Sequence, residues 1–213
     1  LYNRDQAKII AIGDLNGYLI NNQGIDVNKL SKHYLKNKKI NQFKGAKFIN
    51  KPANVLLLNC DILVPAATES VINFKNAKKV KAKLIVEAAN GPITYRADKI
   101  LNKRGIDILP DIFVNAGGVI VSYYEWVKNI SHIRFGRLQR RFDEQKMKDV
   151  MGIIEKSTNN PTSSKLYNKI TSGATEKDLA YSGLEDTMRE AFQEILAEKN
   201  KNKKLNFRTA AYA

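Results

Sequence analysis

The stretch from Val86 to Asn129, VEAANGPITYRADKILNKRGIDILPDIFVNAGGVIVSYYEWVKN, reads as two apolar strand segments joined by a short helix. Each segment ends in small or amide residues, and such strand ends are where an open α/β sheet binds its ligands. Asn90, Asn115 and Ser122 lie at or just after those ends, beside Ala88, Ala89, Gly91 and the Gly117-Gly118 pair. Small residues let a flat ligand approach the backbone, and amides orient it through paired donors and acceptors. No acid–base or nucleophile pair accompanies them. The segment therefore reads as half of an active site.

Outward from this stretch, strands and helices alternate as in an α/β fold with a mostly parallel, Rossmann-like sheet. Ala7 to Gly13 is a continuous apolar strand, closed by Asp14 and followed by a short extension from Tyr18 to Ile20. A helix is expected from Asp26 to Lys38, with Asp26 as N-cap and Val27, Leu30, Tyr34 and Leu35 on its apolar face. Ile40 to Asn59 reads as irregular. Further strands follow at Cys60 to Pro65, Ala82 to Ala88 and Ile106 to Leu109, with a helical turn through Glu69 to Val80. Thr94 to Arg104 reads as a helix stopped by Gly105. Gly117 to Asn129 is expected as a helix packed under the sheet, whose Tyr123, Tyr124 and Trp126 read as core residues, with stacking on a ligand as the alternative. These elements form one expected domain, residues 1–130, lacking its first strand and glycine loop.

Past Ser131 glycine becomes rare and charge rises. Arg134 to Lys156 reads as one long helix, and Asn159 to Ser164 as a linker, within a helical excursion over residues 131–174. Thr175-Glu-Lys-Asp178 matches a capping box. It opens a helix expected to turn Leu179, Leu184, Met188, Phe192, Ile195 and Leu196 inward, within a final segment of residues 175–213.

Charge and composition narrow the function classes. The 36 Lys and Arg against 21 Asp and Glu give a net charge of +15, which raises nucleic acid as a partner. The lysines are scattered, however, and no zinc spacing, RNP-type strand or helix-turn-helix pattern accompanies them. No nucleic-acid partner is expected. Nor is a membrane partner, because polar residues interrupt every apolar run well before a bilayer is spanned. The single cysteine, Cys60, fits a reducing compartment and reads as structural. Leu1 opens the sequence without an initiator Met, so a fragment or a processed chain is expected.

Two readings stay open for Asp14: a turn residue, or the acid that grips an adenosine ribose hydroxyl. The G-x-G-x-x-G fingerprint that should precede such an acid is absent. Glu87 and Asp111 are strand-end carboxylates, a type that more often caps or pairs than catalyses. His33 and His132 stand too far apart from other ligands for a metal site or a triad.

The blocks GIDV, CDILVPAA, EAANGPIT and ILPDIFVNAGGVIVSYYEWVKN, with this spacing, resemble the cofactor-binding domain of the glutamate dehydrogenases. HIRFGRLQRRF, SGATEKDLAYSGLEDTM and LNFRTAAYA resemble the animal-type hexameric enzymes, which carry a helical antenna and a pivot helix. The resemblance covers essentially the whole chain. It implies NAD(P)-dependent, reversible oxidation of L-glutamate to 2-oxoglutarate and ammonia, in a homo-hexamer of the mitochondrial matrix or cytoplasm. A second reading is a short, non-catalytic paralogue that assembles with full-length subunits.

By the same resemblance, Asp14 contacts the adenosine ribose, and Ala66 and Ala67 line the cofactor cleft. Asn90 and Asn115 lie near the ribose and nicotinamide, and Ser122 helps hold the substrate carboxylate. Leu15 after Asp14 offers nothing to a 2′-phosphate, which favours NAD while allowing NADP. The family's catalytic lysine and aspartate are expected upstream of Leu1, so the isolated chain is expected to be inactive. Ser172, Gly173, Ala174 and Lys177 retain a purine-nucleotide effector pattern, with Arg189 nearby. Tyr181 replaces an expected histidine and Glu190 an expected arginine, which implies altered purine regulation.

Overall fold

A computed structural model describes residues 2–131, 137–202 and 205–213. The expected positions of His132, Lys203 and Lys204, and the expected helix start at Arg134, lie outside the described residues. After a single helical turn, α1 (Tyr2–Asp5), the chain enters an antiparallel sheet of β1 (Ala11–Gly13), β2 (Tyr18–Ile20) and β3 (Lys47–Ile49), in that order. The strand expected from Ala7 thus joins a hairpin and not the parallel sheet. The cause is the turn at its end. The Asp14 carboxylate accepts from the backbone N–H groups of Asn16 (2.8 Å) and Gly17 (3.2 Å), and the Asp14 N–H donates to the Gly17 carbonyl (2.8 Å). A two-residue reversal of this kind returns the chain against itself.

Helix α2 (Val27–Asn37) begins as its N-cap chemistry predicts: the Asp26 side chain accepts from the Lys29 N–H at 2.9 Å. Leu19, Ile25, Leu30 and Ile40 form the small core between helix and sheet. The expected apolar face is narrower than its pattern suggested, since Tyr34 and Leu35 are 47% and 65% exposed. A sheet of three-residue strands covers only the turn that carries Leu30. The region expected as irregular contains β3 and a 3-10 helix, Pro52–Leu57. Three residues are too few for a period-two pattern to register.

The second sheet is parallel, in the order β4 (Ile62–Leu63), β5 (Leu84–Val86), β6 (Asp107–Leu109). Helix α3 (Tyr95–Lys103) packs beside a 3-10 turn, Ala77–Lys79. Their core is Ile72, Val80, Ile85, Leu101 and Ile108, all essentially buried. Gly105 stops α3 at φ +71°. Its N–H bonds the Asn102 carbonyl and that of Ile106 bonds Leu101, so both orphan carbonyls of a Schellman end are met. The Arg104 guanidinium then donates to the Ala77 and Val80 carbonyls, both at 2.6 Å, and so ties the turn to the helix end.

The remaining elements are α4 (Asp111–Val114), α5 (Ala116–Ser131), α6 (Arg137–Thr158), α7 (Ser164–Thr171), α8 (Glu176–Lys201) and α9 (Phe207–Ala211). The chain divides into two compact units, one of residues 1–115 with 194–213 and one of residues 116–193. Helix α5 therefore groups with the helical unit, whereas the sequence pattern places it with the sheet domain. Its aromatics differ accordingly. Tyr123 and Trp126 are each 57% exposed and lie against one another, while Tyr124 approaches Gly183 of α8.

The capping box at Thr175 forms as expected: the Asp178 carboxylate accepts from the Thr175 N–H (2.8 Å), and Thr175 Oγ1 accepts from the Asp178 N–H (3.2 Å). Of the residues expected to face inward on α8, Leu179 is exposed and the rest are half-buried. No described helix is long and apolar enough to cross a membrane. Gly17 marks the tightest approach in the first sheet, where an added Cβ would meet the Ile49 carbonyl oxygen at 2.3 Å. Gly17→Ala is expected to lower stability by about 1–3 kcal/mol, read as a shift in the denaturant midpoint.

Candidate functional site

The C-terminal ends of the three parallel strands are tied together by backbone. Ala88 and Ala89 donate to the Pro65 carbonyl after β4, and Glu87 donates to the Leu109 carbonyl of β6. Directly behind this edge lies Glu87, 0% exposed. A buried carboxylate must be paired and hydrogen-bonded to remain charged. Arg208, in α9, supplies the charge: its Nη2 donates to Glu87 Oε1 at 2.7 Å and its Nε to Asp98 Oδ1 at 2.9 Å. Glu87 Oε2 accepts from the Asp111 N–H at 3.0 Å. Burial pushes the Glu87 carboxyl above the usual carboxylate range, and Arg208 pulls it only part of the way back.

The network continues to the surface. The Asp111 carboxylate accepts from the Gly91 N–H at 2.7 Å and from the Ile112 N–H at 2.8 Å, fixing the loop after β5 to the start of α4. At the far end of α4 the Asn115 N–H donates to the Asp111 carbonyl. Its side-chain Nδ2 donates to Asn90 Oδ1, so the two amides expected at the site are in direct contact. That bond leaves Asn90 Nδ2 as a donor and Asn115 Oδ1 as an acceptor. Around them Ala66, Ala67 and Ala88 are exposed. A Cβ added at Gly91, which has φ +51°, would meet nothing within 4 Å. The edge is thus open and lined by amide hydrogen-bonding groups.

The other expected site residues belong to other elements. Asp14 belongs to the antiparallel sheet, and one of its carboxylate oxygens serves the hairpin turn. Ser122 lies on α5 in the helical unit, where its hydroxyl donates to the Gly118 carbonyl at 2.9 Å. Ser172 forms the C-cap of α7. The Lys177 ammonium sits 5.6 Å from the Tyr181 ring centroid, and Arg189 pairs with Glu185 at 2.8 Å. In the same unit Glu144 accepts from Arg140 Nε (2.7 Å) and from the Gly173 N–H (3.2 Å), which holds its carboxyl below the usual range.

Sequence reasoning treated Glu87 and Asp111 only as generic strand-end carboxylates and did not single out Arg208. The available signal is Arg208 as the single charged residue of LNFRTAAYA, two residues after Asn206, which caps α9 through a reciprocal bond pair with Thr209. Cys60 is half-buried against the parallel-sheet core. Burial, with help from the Asp61 charge, raises its thiol, which makes it a poor nucleophile. Among the described residues no cluster of His, Cys, Asp and Glu could hold a metal ion.

A parallel α/β unit of this kind places its ligand outside the carboxyl ends of its strands, where this chain carries small and amide residues. The chain belongs to the glutamate/leucine/phenylalanine/valine dehydrogenase family, whose profile matches residues 1–179. It is 40% identical over 213 residues to a probable glutamate dehydrogenase of Sinorhizobium fredii, covering 100% of this chain and 48% of that one. Against the mitochondrial glutamate dehydrogenase of Dictyostelium discoideum the identity is 44% over 205 residues, covering 96% and 41%. The chain thus spans under half the length of these relatives. Among solved structures, glutamate dehydrogenase from Peptoniphilus asaccharolyticus superposes with a TM-score of 0.59 at 30% identity, covering 98% of this chain and 38% of that one. The fold is shared with the hetero-hexameric enzyme of Thermus thermophilus at a TM-score of 0.68 and 18% identity, covering 96% and 38%.

The raised Glu87 carboxyl makes a signed prediction. A group that binds its proton more tightly when folded contributes most stability below its unfolded pKa and loses that contribution as pH rises. The unfolding free energy of the wild type minus that of Glu87→Gln should therefore fall as pH rises from the ordinary glutamate value through the raised one. Urea titrations at stepped pH check this, and a difference that grows with pH would contradict it.

Proposed function

We propose that this chain is the cofactor-binding portion of an NAD(P)-dependent glutamate dehydrogenase, which converts L-glutamate reversibly to 2-oxoglutarate and ammonia. The observation that carries the proposal is the 40% identity to a probable glutamate dehydrogenase sustained over all 213 residues. A bound nicotinamide cofactor would supply the hydride acceptor for oxidation at the amino-bearing carbon. What this chain contributes is position. The free donor on Asn90 and the free acceptor on Asn115 complement a primary carboxamide, which presents one acceptor and one donor. Gly91, Ala66, Ala67 and Ala88 leave room for a flat ring to approach the strand edge. Fixing a ring in this way lowers the entropy lost on reaching the transition state.

Asp14 retains one carboxylate oxygen outside its turn bonds to accept from a ribose hydroxyl. The same negative charge disfavours a 2′-phosphate, which supports NAD as main cofactor with NADP as a secondary one. Ser122 is the residue we assign to the substrate carboxylate. For that role its hydroxyl must exchange the Gly118 carbonyl for the substrate, a single rotation about χ1. Assembly as a homo-hexamer, which the family resemblance implies, and a mitochondrial setting like that of the Dictyostelium relative belong to this proposal, as does the antenna-and-pivot reading of residues 131–213. So does a weak purine response through Ser172, Lys177 and Arg189. Lys177 and Arg189 would each exchange a present contact for phosphate.

Steady-state assays of the native protein test the reading. NAD-dependent glutamate oxidation is expected, and Asn115→Ala should raise the NAD KM about tenfold, the worth of one well-placed hydrogen bond. The 213-residue chain alone should give no turnover, because the family's catalytic groups are not matched in it. A native subunit of only this length, with no dehydrogenase activity, would instead favour the assembly-subunit reading.

A further inference from the structure

We propose that Arg208 is a positioning residue for the cofactor-facing amide pair, acting through Glu87 and Asp111 from the other end of the chain. The inference rests on the assignment of Asn90 and Asn115 to the cofactor. The path is continuous. Arg208 Nη2 holds Glu87 Oε1, Glu87 Oε2 receives the Asp111 N–H, and the Asp111 carboxylate receives the Gly91 N–H (2.7, 3.0 and 2.7 Å). Gly91 directly follows Asn90. Asp111 opens the helical turn that Asn115 closes, through the bond from the Asn115 N–H to the Asp111 carbonyl. Both amides are therefore tied to one aspartate, Asn90 with further support from the Ser70 N–H to Gly91 carbonyl bond (2.8 Å), and that aspartate is tied to Glu87.

Glu87 alone would not hold this geometry. Its side chain is fully buried, and a carboxylate with two acceptor oxygens can rotate unless both are engaged. Arg208 removes that freedom because its planar fork is itself fixed on two acids, Glu87 and Asp98, with Asp98 further held by Asn102 Nδ2 at 2.9 Å. A lysine at the same place would supply charge without the second, angularly fixed bond. The fork is delivered by α9, whose reciprocal Asn206–Thr209 cap and Phe207–Lys199 contact (4.6 Å) set its start. The C-terminal helix thus acts on the strand edge without touching a ligand.

The test uses the native protein and two variants. Arg208→Lys keeps the charge and is expected to weaken NAD binding about tenfold or more, as a misplaced binding group does. In the same variant, amide exchange at Gly91 and Asp111 should accelerate at least about tenfold, with β5 and α3 protection unchanged. The triple variant Glu87→Gln/Asp98→Asn/Arg208→Met removes the guanidinium and both of its carboxylate partners together. It should recover the wild-type Tm while NAD affinity stays weak, because the substituted glutamine has no guanidinium to fix its rotamer. A purely structural Arg208 would restore both together, and that result overturns the proposal. Unchanged exchange at Gly91 and Asp111 in Arg208→Lys overturns it equally. If the wild type binds no nicotinamide cofactor, the functional assignment fails, while exchange at these two amides still decides whether Arg208 sets the edge.

Discussion

The ion pair between Glu87 and Arg208 is the constraint on which the rest of this structure depends. A carboxylate with no solvent exposure is costly unless its charge and both oxygens are satisfied. Here one oxygen is satisfied by the C-terminal helix and the other by the backbone at the start of α4. Removing Arg208 would leave the charge uncompensated, a defect of about 3–5 kcal/mol in comparable buried pairs. The pair also does what apolar packing does not. It joins β5, α3, α4 and α9 at fixed angles, because each bond is directional.

That constraint explains why the edge of the parallel sheet stays open. The bonds of Gly91 to Asp111 and Ser70 fix the loop after β5, and Asn90 and Asn115 meet beside small, exposed side chains. The turn at Gly91 adopts a left-handed conformation that side chains resist, and the space beyond its Cα is empty. An open, amide-lined edge is suited to orienting a ligand, whereas its amides and small residues are not suited to breaking bonds.

Much of this was legible in the sequence. The apolar runs at Cys60, Ala82 and Ile106, with the helix between the last two, read directly as a parallel α/β unit because buried strands carry near-continuous apolar runs. Local capping was equally readable: Asp26, Gly105 and the Thr175–Asp178 box act within a few residues, so pattern and structure coincide. The failures have a common origin in distance. The first strand folds back because the Asp14 turn competes with sheet entry, and the run of apolar residues does not encode which neighbour it meets. The aromatics of α5 looked like core because periodicity cannot say what packs against a face. Arg208 and Glu87 lie 121 residues apart, and no local signal pairs them. The strand-end pattern singles out the two amides, but their mutual bond is a property of the folded edge alone.

Whether the Asn90–Asn115 amides form the nicotinamide side of a cofactor cleft is tested most directly by NMR of the native protein, with labelled asparagine side chains, during NAD titration. The Asn90 and Asn115 side-chain amide resonances are expected to shift together and to saturate with the same dissociation constant measured by calorimetry. Saturable NAD binding that leaves both resonances unmoved would contradict that role.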